Sequence, residues 1–125
     1  MNYLLDTHVL VDLMIAPQRL GSTVRRVLGD PLNDVVVSSA SAWEIAIKTA
    51  LGRLQVPDDL ETELLRAGIS SVDITVSDAL RAGALPRHHN DPFDRMLVAQ
   101  AQTRGMTLVT RDTMLAAYGV LILAA

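Results

Sequence analysis

Cysteine is absent from this chain, which excludes disulfides and thiolate metal sites and fits a reducing, cytosolic setting. Aromatic residues make up only 3%, so a single-stranded nucleic acid would find few rings to stack on. No apolar run approaches the length of a membrane span. The N-terminal one is broken by Asp6 and Asp12, and Val120–Ala125 is too short. No basic stretch precedes Tyr3-Leu4-Leu5, so a secretory signal is not expected. Lysine occurs once, at Lys48, and all the other basic residues are arginine, the side chain suited to forked contacts with phosphate or carboxylate. The net charge of −3 argues against a simple basic nucleic-acid binder. It still permits a phosphodiester substrate if a divalent cation stands between it and the protein's carboxylates.

What is present is a compact apolar chain. Its 125 residues are 50% hydrophobic, enough for one domain, residues 1–125, with a substantial core. Tyr3-Leu4-Leu5 reads as a buried strand, with a turn at Asp6-Thr7 and a short helix over Val9–Ile15 stopped by Pro17. Gly21–Leu28 reads as a helix with Arg25 and Arg26 on its wet side. The β-branched run Val35-Val36-Val37 is typical of an internal parallel strand. One of Ser38, Ser39 and Ser41 is expected to cap a helix over Ala42–Leu51, ended by Gly52, with Trp43, Ile47 and Leu51 as its core stripe. Pro57-Asp58-Asp59 opens a further helix to Arg66-Ala67. Val72-Asp73-Ile74 then alternates as a short strand, and Ser77–Ala84 is helical.

The stretch from Asn90 to Ala101 organises the remainder. Asp91 suits an N-cap, Pro92 the first helical position, and Asp94 a place from which a side chain can reach back to the cap. Phe93, Leu97 and Ala101 repeat at helical spacing toward a core, and the helix ends near Gly105. Thr107–Thr110 is a strand, Thr113–Ala117 a helical turn, and Val120–Leu123 a final strand. Strands alternating with helices predict a three-layer α/β/α fold around a central, mostly parallel five-stranded sheet.

Ligands of such sheets bind beyond the carboxyl ends of the strands, where strand order reverses. Asp6 follows the first strand and Asp112 the fourth. Glu44 falls in the first turn of the helix after the second strand, and Asp94 starts the helix that feeds the fourth. Each acid alone reads as an ordinary cap or turn residue. Together at one edge they would repel one another unless protonated or neutralised, and an all-oxygen set suits Mg²⁺ or Mn²⁺. Arg95 and Arg111 flank two of the acids, where they would either hold phosphate or balance charge. Lys48 is spaced to orient Glu44. His8, His88 and His89 could touch phosphate or serve as bases, but adjacent histidines in a loop are more often solvated and metal-activated water does not require a histidine base.

Leu5-Asp6-Thr7-His8, then Ser41-Ala42-Trp43-Glu44-Ile45-Ala46-Ile47-Lys48 with Gly52-Arg53-Leu54, then His89-Asn90-Asp91-Pro92-Phe93-Asp94-Arg95, then Val109-Thr110-Arg111-Asp112 occur in this order. The ordered set resembles the PIN-domain ribonucleases, most closely the VapC toxins of bacterial toxin–antitoxin pairs. The resemblance covers essentially the whole chain. It implies a Mg²⁺- or Mn²⁺-dependent endoribonuclease of the bacterial cytoplasm, acting on RNA, paired with a VapB-like antitoxin and forming a homodimer. The acids it carries over as catalytic and metal-holding are Asp6, Glu44, Asp94 and Asp112. Thr110, Asp91, Thr7, Arg95 and Arg111 become supporting or substrate-contacting residues. Two positions depart from the pattern, Asp12 where relatives often carry Trp and Asn90 where Arg is frequent. A phospho-accepting receiver domain would need a lysine near the acids late in the chain, and Lys48 lies too early for it. A silent PIN-like interaction module would be favoured by a missing acid, and all four are present.

Overall fold

A computed structural model describes residues 1–56 and 59–125. Five parallel strands form one sheet: β1 (Asn2–Leu5), β2 (Asp34–Ser38), β3 (Ser70–Val72), β4 (Thr107–Thr110) and β5 (Ile122–Ala124). Their order is β3-β2-β1-β4-β5. The chain thus builds outward from β1 in one direction, then returns to β1's other side with β4. Register follows Leu4↔Val36 on one side of β1 and Leu5↔Val109 on the other. Because successive residues of a strand face opposite ways, each strand feeds two cores. Tyr3, Leu5, Val35, Val37 and Val109 lie in one apolar cluster, while Leu4, Val36 and Leu108 lie in the other.

The first cluster is covered by α1 (Thr7–Ile15), α2 (Ser22–Gly29), α3 (Ser39–Ala50) and α4 (Leu60–Arg66), through residues such as Val9, Leu10, Val24, Ile45 and Leu64. The second is covered by α6 (Pro92–Arg104) through Leu97, Val98 and Ala101, and α5 (Val76–Ala84) packs outside α6. The α/β/α layering is therefore as expected, and every strand pairing is parallel. Among the described residues no helix is long and apolar enough to cross a membrane.

Three local expectations need correction. Helix α3 begins at Ser39, directly after β2, with the Ser38 side chain accepting from Ala40 N. Strand end and helix cap are one residue here, so no loop intervenes and Glu44 sits in the second turn rather than the first. Strand β3 covers Ser70–Val72, not Val72–Ile74, because the N–H of Ile74 leaves the ladder to donate to Ser39 Oγ. The stripe of Trp43, Ile47 and Leu51 is not core: Trp43 is 62% exposed and Leu51 60%. Helix α3 instead buries Ala40, Ser41, Glu44 and Ile45, two small residues, one acid and one large apolar side chain. Helix α4 starts at Leu60 with Asp59 as its cap; the expected opening at Pro57-Asp58 lies outside the described residues.

Candidate active site

The strand order reverses between β1 and β4, and the side chains of the candidate site collect there. Asp6 ends β1 and caps α1, its Oδ1 accepting from His8 N at 2.8 Å. Its Oδ2 accepts from Thr110 Oγ1 of β4, also at 2.8 Å. Thr110 Oγ1 in turn accepts from the N–H of Asp112 at 3.0 Å. One buried hydroxyl thus fixes two acids from neighbouring strands. Asp112 caps the short 3-10 turn Thr113–Tyr118 through Oδ1. Asp6, Asp94 and Asp112 line one cavity of about 320 Å³ together with His8, Thr110 and Arg111.

Asp94 does not form the capping box its spacing suggested. Asp91 alone caps α6, accepting from Phe93 N and Asp94 N through one oxygen, which frees the Asp94 carboxylate for the cavity. Burial pushes the Asp94 carboxyl up to about 7, and the charges of Asp6, Asp91 and Glu44 add to the push while His89 opposes it. Glu44 is buried on α3, its Oε2 held by Lys48 Nζ at 2.8 Å. It reaches Asp94 through its charge and is not among the cavity's lining residues. Thr7 supports this side by donating to Ser41 Oγ at 2.9 Å, tying α1 to α3 one turn before Glu44.

His89 is the residue that sequence reasoning set aside. Its Nε2 lies 2.8 Å from Asp112 Oδ2 and 3.5 Å from Asp94 Oδ2. Its Nδ1 accepts from the N–H of Asp91 at 3.1 Å. With Nδ1 accepting, the ring carries its proton on Nε2, so His89 donates to the acids. His89, Asp94 and Asp112 place their ligand atoms within 4.8 Å of one another, but this tautomer makes His89 a holder of Asp112 rather than a ligand. A loop histidine has no periodicity; its signals were its place two residues before the cap of α6 and at the head of the His89–Arg95 motif. Arg95 stands apart from the cavity. Its guanidinium donates to the carbonyls of Ala82, Gly83, Leu85, Pro86 and His89, pinning the loop that carries His89.

The donor set is oxygen from end to end, crowded enough that one carboxyl stays largely protonated until near neutrality. That is the electrostatic signature a divalent cation relieves, and Asp6, Asp94 and Asp112, backed by Glu44, are the residues fit to hold one.

The profile of the PIN domain family matches residues 3–121. Ribonuclease VapC22 of Mycobacterium tuberculosis is 33% identical over 112 residues, covering 87% of this chain and 85% of that protein. Among solved structures, a chain of VapBC2 from Rickettsia felis bound to a DNA fragment from its promoter superposes with a TM-score of 0.71 at 14% identity, covering 99% of this chain and 98% of that one. DNA-bound VapBC from Salmonella typhimurium gives 0.70 at 16%, again covering 99% and 98%. These two share the fold. With the profile spanning the sheet from β1 almost to β5 and a VapC relative aligned along most of its length, the chain belongs to the PIN-domain family, among its VapC-like members.

Proposed function

We propose that this chain is a Mg²⁺- or Mn²⁺-dependent endoribonuclease and the toxin of a VapBC-like pair. The observation that carries the reading is the cavity at the strand-order reversal, where Asp6, Asp94 and Asp112 meet and the Asp94 carboxyl is driven up to about 7. The 33% identity to a protein named as a ribonuclease supports RNA as the substrate class. A bound divalent cation supplies Lewis acidity to a phosphodiester and lowers the pKa of water beside it.

The chain's own residues act by holding position. Thr110 and the His8 N–H fix both oxygens of Asp6, so that carboxylate cannot swing with the charge of its surroundings. His89 holds Asp112, and Lys48 holds Glu44. Hydrolysis would form a bond from the water oxygen to phosphorus and break the bond from phosphorus to one ribose oxygen. The net proton transfer is from water to that oxygen. The site would need no histidine base, since the one histidine that bridges the acids is engaged as a donor.

RNA cleavage by the purified chain with Mn²⁺ tests the reading, with Asp6→Asn and Asp94→Asn as comparators. Both changes remove charge and little volume, so they should abolish cleavage while circular dichroism stays unchanged. A fully active Asp6→Asn protein would sink the mechanism. A folded wild type that cleaves no RNA with either cation would favour a silent interaction module. A VapB-like antitoxin and a second copy of the chain are the partners proposed, on the VapBC complexes among the fold's relatives.

A further inference from the structure

Asp12 is charged and yet only 5% exposed, on the inner side of α1. Its Oδ2 is in ion-pair contact with Nη2 of Arg111, without the geometry of a hydrogen bond, and its Oδ1 lies 3.7 Å from Arg19 Nη1. Arg111 Nη2 also donates to the carbonyl of Arg19 at 3.1 Å. Arg111 stands between Thr110 and Asp112 in sequence and lines the same cavity as Asp6, Asp94 and Asp112. One nitrogen of its fork is therefore tethered to α1 and the turn after it. Its Nε and Nη1 make no hydrogen bond among the described residues.

The bland account is that a buried carboxylate needs a counter-charge and Arg111 supplies it. The molecule itself shows what such a pair looks like. Arg104 meets the buried Asp78 fork to fork, Nη1 to Oδ1 and Nη2 to Oδ2, each at 3.0 Å. Both oxygens and both terminal nitrogens are used. Arg111 is built differently. A single nitrogen, Nη2, is engaged, and since both two-donor edges of a guanidinium include it, what remains are the separate N–H donors of Nε and Nη1 on a side chain that lines the acidic cavity. A guanidinium N–H without a protein partner can donate to a phosphate oxygen.

We propose that Asp12 is a positioning residue that holds Arg111 at the cavity wall, where a free N–H of Arg111 binds a phosphate of the RNA. This rests on the ribonuclease reading above. The chemistry assigned is contact with the backbone of the nucleic acid, without choice of base.

The test measures KM, kcat, melting temperature and the salt dependence of RNA binding, with Mn²⁺ present throughout. Arg111→Ala should raise KM by about tenfold and flatten the slope of log affinity against log salt by about 0.7, one phosphate contact on a single strand. Arg111→Lys keeps a charge beside Asp12 but loses the fork. It should fold like wild type and still raise KM. Asp12→Asn should raise KM several-fold with kcat changed little, and should add nothing to Arg111→Ala, because Asp12 acts through that side chain. Lowered melting temperatures with KM and salt slope unchanged in the Arg111 variants would overturn the proposal and leave simple charge balance. An Asp12 effect that persists without Arg111 would overturn it equally. Should Asp12→Asn fail to fold, Arg111→Lys decides alone. If wild type cleaves RNA and these variants bind it as well as wild type does, only this inference fails. If wild type neither binds nor cleaves RNA, the ribonuclease reading fails and the inference with it.

Discussion

A carboxyl that titrates near neutrality makes Asp94 the most informative single residue of the site. Its folded pKa is raised above the value of about 3.9 expected for an unfolded Asp. The native state therefore binds the extra proton, and the stability this contributes is full below about pH 4 and is lost as pH rises toward 7. A cation must displace that proton, so Mn²⁺ should raise the melting temperature more at about pH 8 than at about pH 6. Asp94→Asn should show a smaller gain that scarcely varies with pH. Equal gains in the two proteins would refute a specific site. At this scale the sequence was readable where chemistry and position coincide. Asp6, Asp94 and Asp112 stand at strand ends or helix starts, and topology forces those together. Asp12 and His89 were not readable. The burial of one and the carboxylate that the other meets depend on partners far away in the chain, Arg111 and Asp112.

Between α5 and α6 one buried acid does two tasks. Asp78 completes the capping box with Thr75 at the start of α5 and receives the fork of Arg104 from the end of α6. Gln100 donates to it as well. The Arg104 fork beside it holds its carboxyl well below the usual carboxylate range, with the Thr75 N-cap contact and Gln100 helping against the cost of burial. A depressed pKa contributes stability that is present above the unfolded value and lost as pH falls. Asp78→Ala should therefore cost about 2–4 kcal/mol in urea unfolding at neutral pH, combining a lost cap with an unpaired cation, and much less in acid. A pH-independent cost would show that packing, not charge, is what matters. The elements themselves followed from sequence pattern where the pattern is repeated: α6 and β4 have the expected bounds. Helix α3 did not, because three nearby serines are equivalent as caps on paper and only the end of β2 chooses Ser38. Its Trp43 stripe has helical spacing whichever way it faces; the ring lies outward, edge-on to Phe93 at 5.5 Å between centroids.

Taken whole, the molecule presents an acidic cavity whose natural competitor for a metal is a cationic side chain. If a VapB-like antitoxin masks the site by placing an arginine or lysine among Asp6, Asp94 and Asp112, then inhibition should weaken as Mn²⁺ rises at fixed ionic strength. Inhibition that stays constant across such a series would place the block elsewhere. The layered architecture was legible from alternating strands and helices alone, since that alternation has few packed solutions. The sheet order β3-β2-β1-β4-β5 has a consequence in time as well as space. Thr110 and Asp6 bond across 104 residues of sequence, and β4 reaches β1 only after every other helix and strand between them has been made. A chain growing on the ribosome carries Asp6 long before Asp112, and it holds no complete set of acids until Asp112 has emerged and β4 has docked. Translation therefore imposes a delay between the synthesis of Asp6 and the completion of the acid cluster.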